Sequence, residues 1–249
     1  MLTSKNKNMV EIIESLIILG HQDAAQQIQD ASETCNCEMD ALALALKTLS
    51  VERINERTNR LIKRAKIQKP KYFSRLINIP ERKLDLDYLA ELESLDFIKD
   101  GHNLVVWGPP GTGKSWMLDA IATKACEQGL KTRTMTFPAL YRELDKLNKR
   151  NSASFESRLK YYSKFKVLCI DEFPNKDIKE VFLIQEFFSE MEKNNVLLVV
   201  GSQSAPENWP KLISVLSLGQ SMTGRIAGNA KRLHLEGPDL RYRTDLDLD

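Results

Sequence analysis

Eight consecutive residues, Gly108-Pro109-Pro110-Gly111-Thr112-Gly113-Lys114-Ser115, have the types and spacing that hold a chain of phosphates. Glycines let backbone N–H groups close on phosphate oxygens where a Cβ would obstruct, and a helix opening near Lys114 adds its positive dipole end. Lys114 is expected on the β- and γ-phosphates, with Trp116 also touching nucleotide. Ser115 is expected on Mg²⁺, a hard cation that keeps several waters and takes one or two protein oxygens. Further on, Val167-Leu168-Cys169-Ile170-Asp171-Glu172 is an apolar run closed by two acids. Asp171 would anchor the metal, directly or through water, and Glu172 would polarise the attacking water as general base. The chemistry such a set suits is hydrolysis of a nucleoside triphosphate. The chain has no Asn-Lys-x-Asp guanine-reading motif, which favours adenine and therefore Mg-ATP.

Four more polar residues belong to this reading. Leu197-Leu198-Val199-Val200-Gly201 runs into Ser202-Gln203, and Gln203 or Ser202 is expected to orient the γ-phosphate or the water; the other reading is an ordinary strand-end turn. A γ-phosphate in flight spreads charge over its oxygens, which an arginine from a neighbouring subunit can stabilise. Arg225 is expected to be that finger, and Arg241 a second phosphate sensor, each against the alternative of a surface ion pair.

The elements that must position these groups alternate. Strands are expected at Asn103–Trp107, Thr132–Phe137, Val167–Asp171, Leu197–Gly201 and Arg232–Leu235, with helices starting near Lys114, Pro138, Ser154 and Ile178. This is the pattern of an α/β fold whose five-stranded parallel sheet is flanked by crossover helices. Upstream the chain reads as helical. Val10, Ile13, Leu16 and Ile17 recur at helical spacing before Gly20, a second short helix starts at Asp23, and a long amphipathic stretch runs from near Met39 to near Lys66. Pro70 and Pro80 punctuate the segment after it. The expected organisation is a small helical, basic domain at residues 1–67, a linker at 68–84 and the nucleotide-binding domain at 85–249.

Composition sets outer limits. The 249 residues are 42% hydrophobic and 28% charged, ordinary for a globular protein. No apolar stretch approaches the roughly 20 residues of a membrane helix, and no signal pattern opens the chain, so a cytoplasmic protein is expected. Cys126 and Cys169 fall on a helix and a buried strand, as small apolar packing. Cys35-Asn36-Cys37 resembles half of a metal site, but nothing nearby completes it. Net charge is only +2, yet Arg53, Arg57, Arg60, Lys63, Arg64, Lys66, Lys69, Lys71, Arg75, Arg82 and Lys83 crowd one segment against Glu56 and Glu81. A basic arm of this kind suits the phosphates of duplex DNA, the first six residues being the expected contacts; the bland alternative is a solvated helix face. The chain closes on Asp245, Asp247 and Asp249.

These residues resemble the IstB-like ATPases that help the transposases of insertion sequences, within the AAA+ group of P-loop NTPases that includes the DnaA initiator and the DnaC helicase loader. The resemblance runs from about Glu52 to Arg243. It is carried by Glu52-Arg53-x-x-Glu56-Arg57-x-x-Arg60-Leu61, by Leu92-Glu93-Ser94-Leu95-Asp96-Phe97-Ile98, by the phosphate loop, and by Ser202-Gln203 with Asn208-Trp209 beyond it. The discriminating part is Gly224-Arg225-Ile226-Ala227-Gly228-Asn229-Ala230-Lys231-Arg232-Leu233 with Leu235-Glu236-Gly237-x-x-Leu240-Arg241. It implies an ATP-dependent protein that assembles as an oligomer on duplex DNA and presents a target to a transposase. Gly224 stands where family members usually have Asp, and the acidic tail departs from a more basic family terminus. The chain ends soon after the fifth strand, so the usual AAA+ helical lid is expected to be minimal or absent. The runner-up is a DnaC-like helicase loader, and a third class is a scaffold that binds nucleotide without cleaving it.

Overall fold

The computed structural model describes residues 4–30, 38–174 and 180–242. Cys35, Cys37, Asp245, Asp247, Asp249 and the helix start expected at Ile178 lie outside the described residues. The chain divides into two compact units, Met1–Asn59 and Arg60–Asp249.

In the smaller unit, α1 (Ser4–Ile18) and α2 (Gln22–Asp30) pack around Leu16, Ala24, Ala25 and Ile28, with Ile12, Ile13 and Leu49 against them. Gly20 ends α1 at φ 85°, a left-handed turn that lets the His21 N–H reach back to the Leu16 carbonyl at 2.9 Å. The expected apolar stripe is shifted: Val10 and Ile17 are exposed, while Ile12 and Ile13 join Leu16 on the packed side. The long helix α3 (Glu38–Ala65) begins here, and the division between units falls within it. His21 Nδ1 lies 2.9 Å from Glu52 Oε2.

The larger unit is built on five parallel strands, β1 (Asn103–Trp107), β2 (Thr132–Thr136), β3 (Val167–Asp171), β4 (Leu197–Ser202) and β5 (Ala230–His234). Their lateral order is β2-β3-β4-β1-β5. Thus β2, which intervenes in sequence between the loop strand and the acid strand, lies at the sheet edge, and β4 is the strand inserted between β1 and β3. Alternate residues serve opposite faces. Val105, Leu168, Ile170, Leu198 and Val200 face α7 (Phe137–Arg150), α8 (Ser152–Tyr162), α9 (Val181–Lys193) and α11 (Leu216–Ala227). Leu104, Val106, Val167, Cys169, Leu197 and Val199 face α6 (Lys114–Glu127) and α4 (Leu86–Ser94). Two short helices, α5 (Asp96–Lys99) and α10 (Trp209–Leu212), complete the set.

Local chemistry fixes several starts. The Asp85 carboxylate accepts from Tyr88 N–H at 3.0 Å to cap α4, and the Asn151 side chain accepts from Ser154 N–H at 2.7 Å to cap α8. The segment 68–84 is not a bare tether. Phe73, Leu76 and Leu84 pack against the core on the α6 side, and Arg82 is buried. Among the described residues, only a single-turn helix, Leu240–Tyr242, comes after β5.

Candidate nucleotide site

The carboxyl ends of β1, β3 and β4 meet at one edge of the sheet, the edge at which open α/β sheets bind ligands. From β1 the chain enters the glycine loop. At Gly108, φ is 152° and a Cβ would stand 2.1 Å from the Leu235 carbonyl oxygen, so only glycine lets the chain leaving β5 pass. Gly113, at φ 93°, turns the loop into α6. Lys114 Nζ donates to the Gly108 and Pro109 carbonyls at 2.8 and 2.7 Å, holding the ammonium across the loop. Burial pulls this lysine below its ordinary range; Asp171 opposes that shift and Arg241 adds to it. Thr112 is buried, and its hydroxyl donates to the Pro109 carbonyl at 2.9 Å.

Across the site, Ser115 Oγ donates to Asp171 Oδ2 at 2.5 Å. One oxygen comes from the first turn of α6 and the other from the end of β3, although β4 separates the two strands. Gly201 on β4 makes this reach possible, because a Cβ there would lie 2.3 Å from Asp171 Oδ1. The motifs of the sequence do not single out Gly201. The signal it carries is that of a glycine closing a run of Leu and Val, where glycine weakens a strand unless something must approach closely.

Glu172 is exposed at φ 62°, a left-handed conformation that non-glycine residues seldom adopt outside functional turns. Its N–H donates to Asp171 Oδ1 at 2.8 Å, and the next residue anchors the turn. Phe173 N–H donates to the Gly201 carbonyl at 2.9 Å, and its buried ring meets Phe137, Phe188 and Trp209 edge-on at 4.9, 5.7 and 4.8 Å.

Of the two groups expected at the tip of β4, Ser202 is committed to its own turn. Its buried hydroxyl accepts from Trp209 Nε1 at 2.9 Å and from Ser204 N–H, and donates to the Ser204 carbonyl at 2.8 Å. Gln203 is next in the chain, and it is exposed. Arg241 lies near the loop, held by Asp239 through Nε at 2.9 Å and Nη2 at 2.5 Å, while Leu240 N–H donates to the Gly111 carbonyl at 3.0 Å. Arg225 lies elsewhere. Its carbonyl accepts from Asn103 Nδ2, at the opposite end of β1 from the loop, and its guanidinium bonds Glu192 at 3.0 Å and Ser221 at 2.9 Å. A five-residue strand at ~3.3 Å per residue puts roughly 13 Å between those ends, too far for this side chain to serve its own loop.

A cavity of about 490 Å³ opens beside Gly111, Gly113, Lys114 and Trp116. Its far wall is the expected linker: Lys69, Lys71, Tyr72, Arg75 and Arg82 line it. These cations of the basic run therefore gather around the phosphate loop rather than along a free arm. The remaining ones are exposed, Arg53 and Arg57 in the smaller unit and Arg60, Lys63, Arg64, Lys66 and Lys83 in the larger.

A family model described as IstB-like ATP-binding protein matches residues 15–247. The chain belongs to this family. A relative in Sinorhizobium fredii, named as an insertion sequence ATP-binding protein, is 27% identical over 236 residues, covering 93% of this chain and 94% of its own. Another, named in the same terms in Mycobacterium tuberculosis, is 25% identical and covers 74% and 73%. Among solved structures, DnaI aligns with a TM-score of 0.55 at 19% identity over 70% of this chain and 90% of its own. AMPPCP-bound DnaA from Aquifex aeolicus aligns at 0.56 and 15% identity over 69% and 51%. These two likenesses concern the fold, and they agree with the IstB-like chain's five-stranded sheet. Among its described residues, no helix is long and apolar enough to cross a membrane.

Proposed function

We propose that this chain is the ATPase of an insertion sequence: it hydrolyses Mg-ATP, assembles as a homo-oligomer on duplex DNA and presents target DNA to a transposase. The observation that carries the catalytic part is the meeting of Ser115 and Asp171 oxygens beside an outward-facing Glu172. A hydroxyl and a carboxylate from two elements form a hard-oxygen donor pair, which fits magnesium with its remaining positions left to water and phosphate. When bound, the metal would draw charge from the phosphate oxygens.

The chain's own residues account for the rest. Gly108, Pro109, Pro110, Gly111, Thr112 and Gly113 cup the phosphates, and Lys114 moves its ammonium from loop carbonyls to phosphate oxygens. Glu172 takes a proton from water as the water oxygen bonds to the γ-phosphorus, and the bond to the β–γ bridging oxygen breaks to leave ADP. Gln203 orients that water, Arg241 reads the phosphates once freed from Asp239, and Arg225 of a neighbouring copy steadies the charge in flight. For DNA, support comes from the exposed cations on and after α3 and from the insertion-sequence names of the relatives.

Glu172→Gln tests the reading. Hydrolysis should fall by on the order of a hundredfold or more, while ATP-dependent, salt-sensitive retention of random duplex DNA persists in a gel shift. Unchanged hydrolysis would remove Glu172 as the base. Loss of all duplex affinity in the unaltered chain would favour a helicase-loading role instead.

A further inference from the structure

Among the described residues, Arg82 is a buried guanidinium without a carboxylate. It is only 2% exposed, and its polar contacts are two carbonyls: Nη1 donates to Ile77 and Nη2 to Thr112, the latter at 3.0 Å. Nε has no hydrogen-bond partner among those residues. Arginine stays protonated in proteins, and a buried cation is ordinarily paired because leaving water is costly. Burial here pulls the guanidinium below its usual pKa, the mark of a charge whose surroundings do not balance it.

The surroundings set this charge beside the phosphate loop. Nη2 lies 3.4 Å from where a Cβ on Gly113 would stand, at the residue from which α6 opens, and the side chain borders the cavity shared with Lys114 and Arg241. Gly237 closes over its stem so tightly that a Cβ there would approach Arg82 Cγ to 3.0 Å. One planar group thus ties the Ile77 carbonyl in the cavity wall to the Thr112 carbonyl of the phosphate loop. We propose that Arg82 is a positioning residue whose charge is balanced by the nucleotide's polyphosphate, so that binding the phosphates fastens the wall at residues 69–77 onto the loop. The proposal rests on the ATP-binding reading above.

The test is competition of ATP, ADP and AMP against a fluorescent ATP analogue on the full chain, with unfolding temperatures recorded without nucleotide. Arg82→Gln removes the charge and leaves a single amide nitrogen, which cannot bridge both carbonyls. It should weaken ATP by about tenfold or more, ADP less and AMP least; the loss of a carbonyl bond lowers the nucleotide-free unfolding temperature but does not grade affinity by phosphate number. Arg82→Lys, which keeps the cation but gives up the planar bridge between the two carbonyls, should hold the parental ratio of ATP to AMP affinity to within about threefold. Equal losses for all three nucleotides, or an Arg82→Lys chain as impaired as Arg82→Gln, would reduce Arg82 to a brace and overturn the proposal. If Arg82→Gln does not fold, the lysine variant alone decides by the same threshold. Failure of the unaltered chain to bind ATP would strike the nucleotide reading itself, whatever Arg82 does.

Discussion

Gly201 decides where Asp171 can point. The carboxylate leans across β4 to reach Ser115 because the residue beneath it has no side chain, and a methyl group there would meet Oδ1 at 2.3 Å. Gly201→Ala should therefore separate the two oxygens that suit the metal. Calorimetry should find ATP binding with magnesium weakened by about tenfold and binding in chelator unchanged; equal affinities with magnesium would mean the pair is not the metal site. The cysteines make a second case. Cys126 and Cys169 are buried, and burial pushes the Cys126 thiol up to about 11 even though a hydrogen bond with Thr132 works the other way. The thiolate is the reactive form, so Cys126 is protonated and unreactive at neutral pH. Brief alkylation at pH 8 and then mass spectrometry should find both thiols unmodified, and urea should expose them.

The elements that carry the chemistry also explain what the sequence could and could not disclose. β1, β3 and β4 are legible because strands of a parallel sheet are buried on both faces and read as continuous apolar runs. Their lateral order is not, since no pattern within β4 says that it lies between β1 and β3. In sequence, Arg82 is one more charge in a basic run. Its burial depends on the carbonyls of Ile77 and Thr112, and backbone acceptors leave no trace in residue types. Glu172 stands out by its position after an apolar strand, but the device that holds it, Phe173 wedged among Phe137, Phe188 and Trp209, does not. Phe173→Ala should cost about 3–5 kcal/mol, read as a lower urea midpoint, and should lower ATP turnover in the fraction that remains folded. A variant as stable as the parent would show that the turn is held by something else.

At the scale of the whole molecule, the proposed mechanism makes each chain half of a site. The loop, the Ser115–Asp171 pair and Glu172 converge at one end of the sheet, whereas Arg225 stands at the other, held by Glu192 and Ser221. Glu192 is exposed and Arg225 half-buried; a pair at the surface contributes about 0–1 kcal/mol, so in the proposed mechanism the guanidinium is transferred to a phosphate presented by another copy. In the proposed mechanism ATP is therefore cleaved between two molecules. Mixing two inactive variants tests this most directly: Glu172→Gln, which keeps the finger but lacks the base, with Arg225→Ala, which keeps the base but lacks the finger. Each alone should bind ATP and hydrolyse it at least about a hundredfold slower than the parent, and the equimolar mixture on duplex DNA should recover a substantial part of parental turnover. A mixture no faster than the sum of its components, or an Arg225→Ala chain with parental turnover, would contradict the shared site.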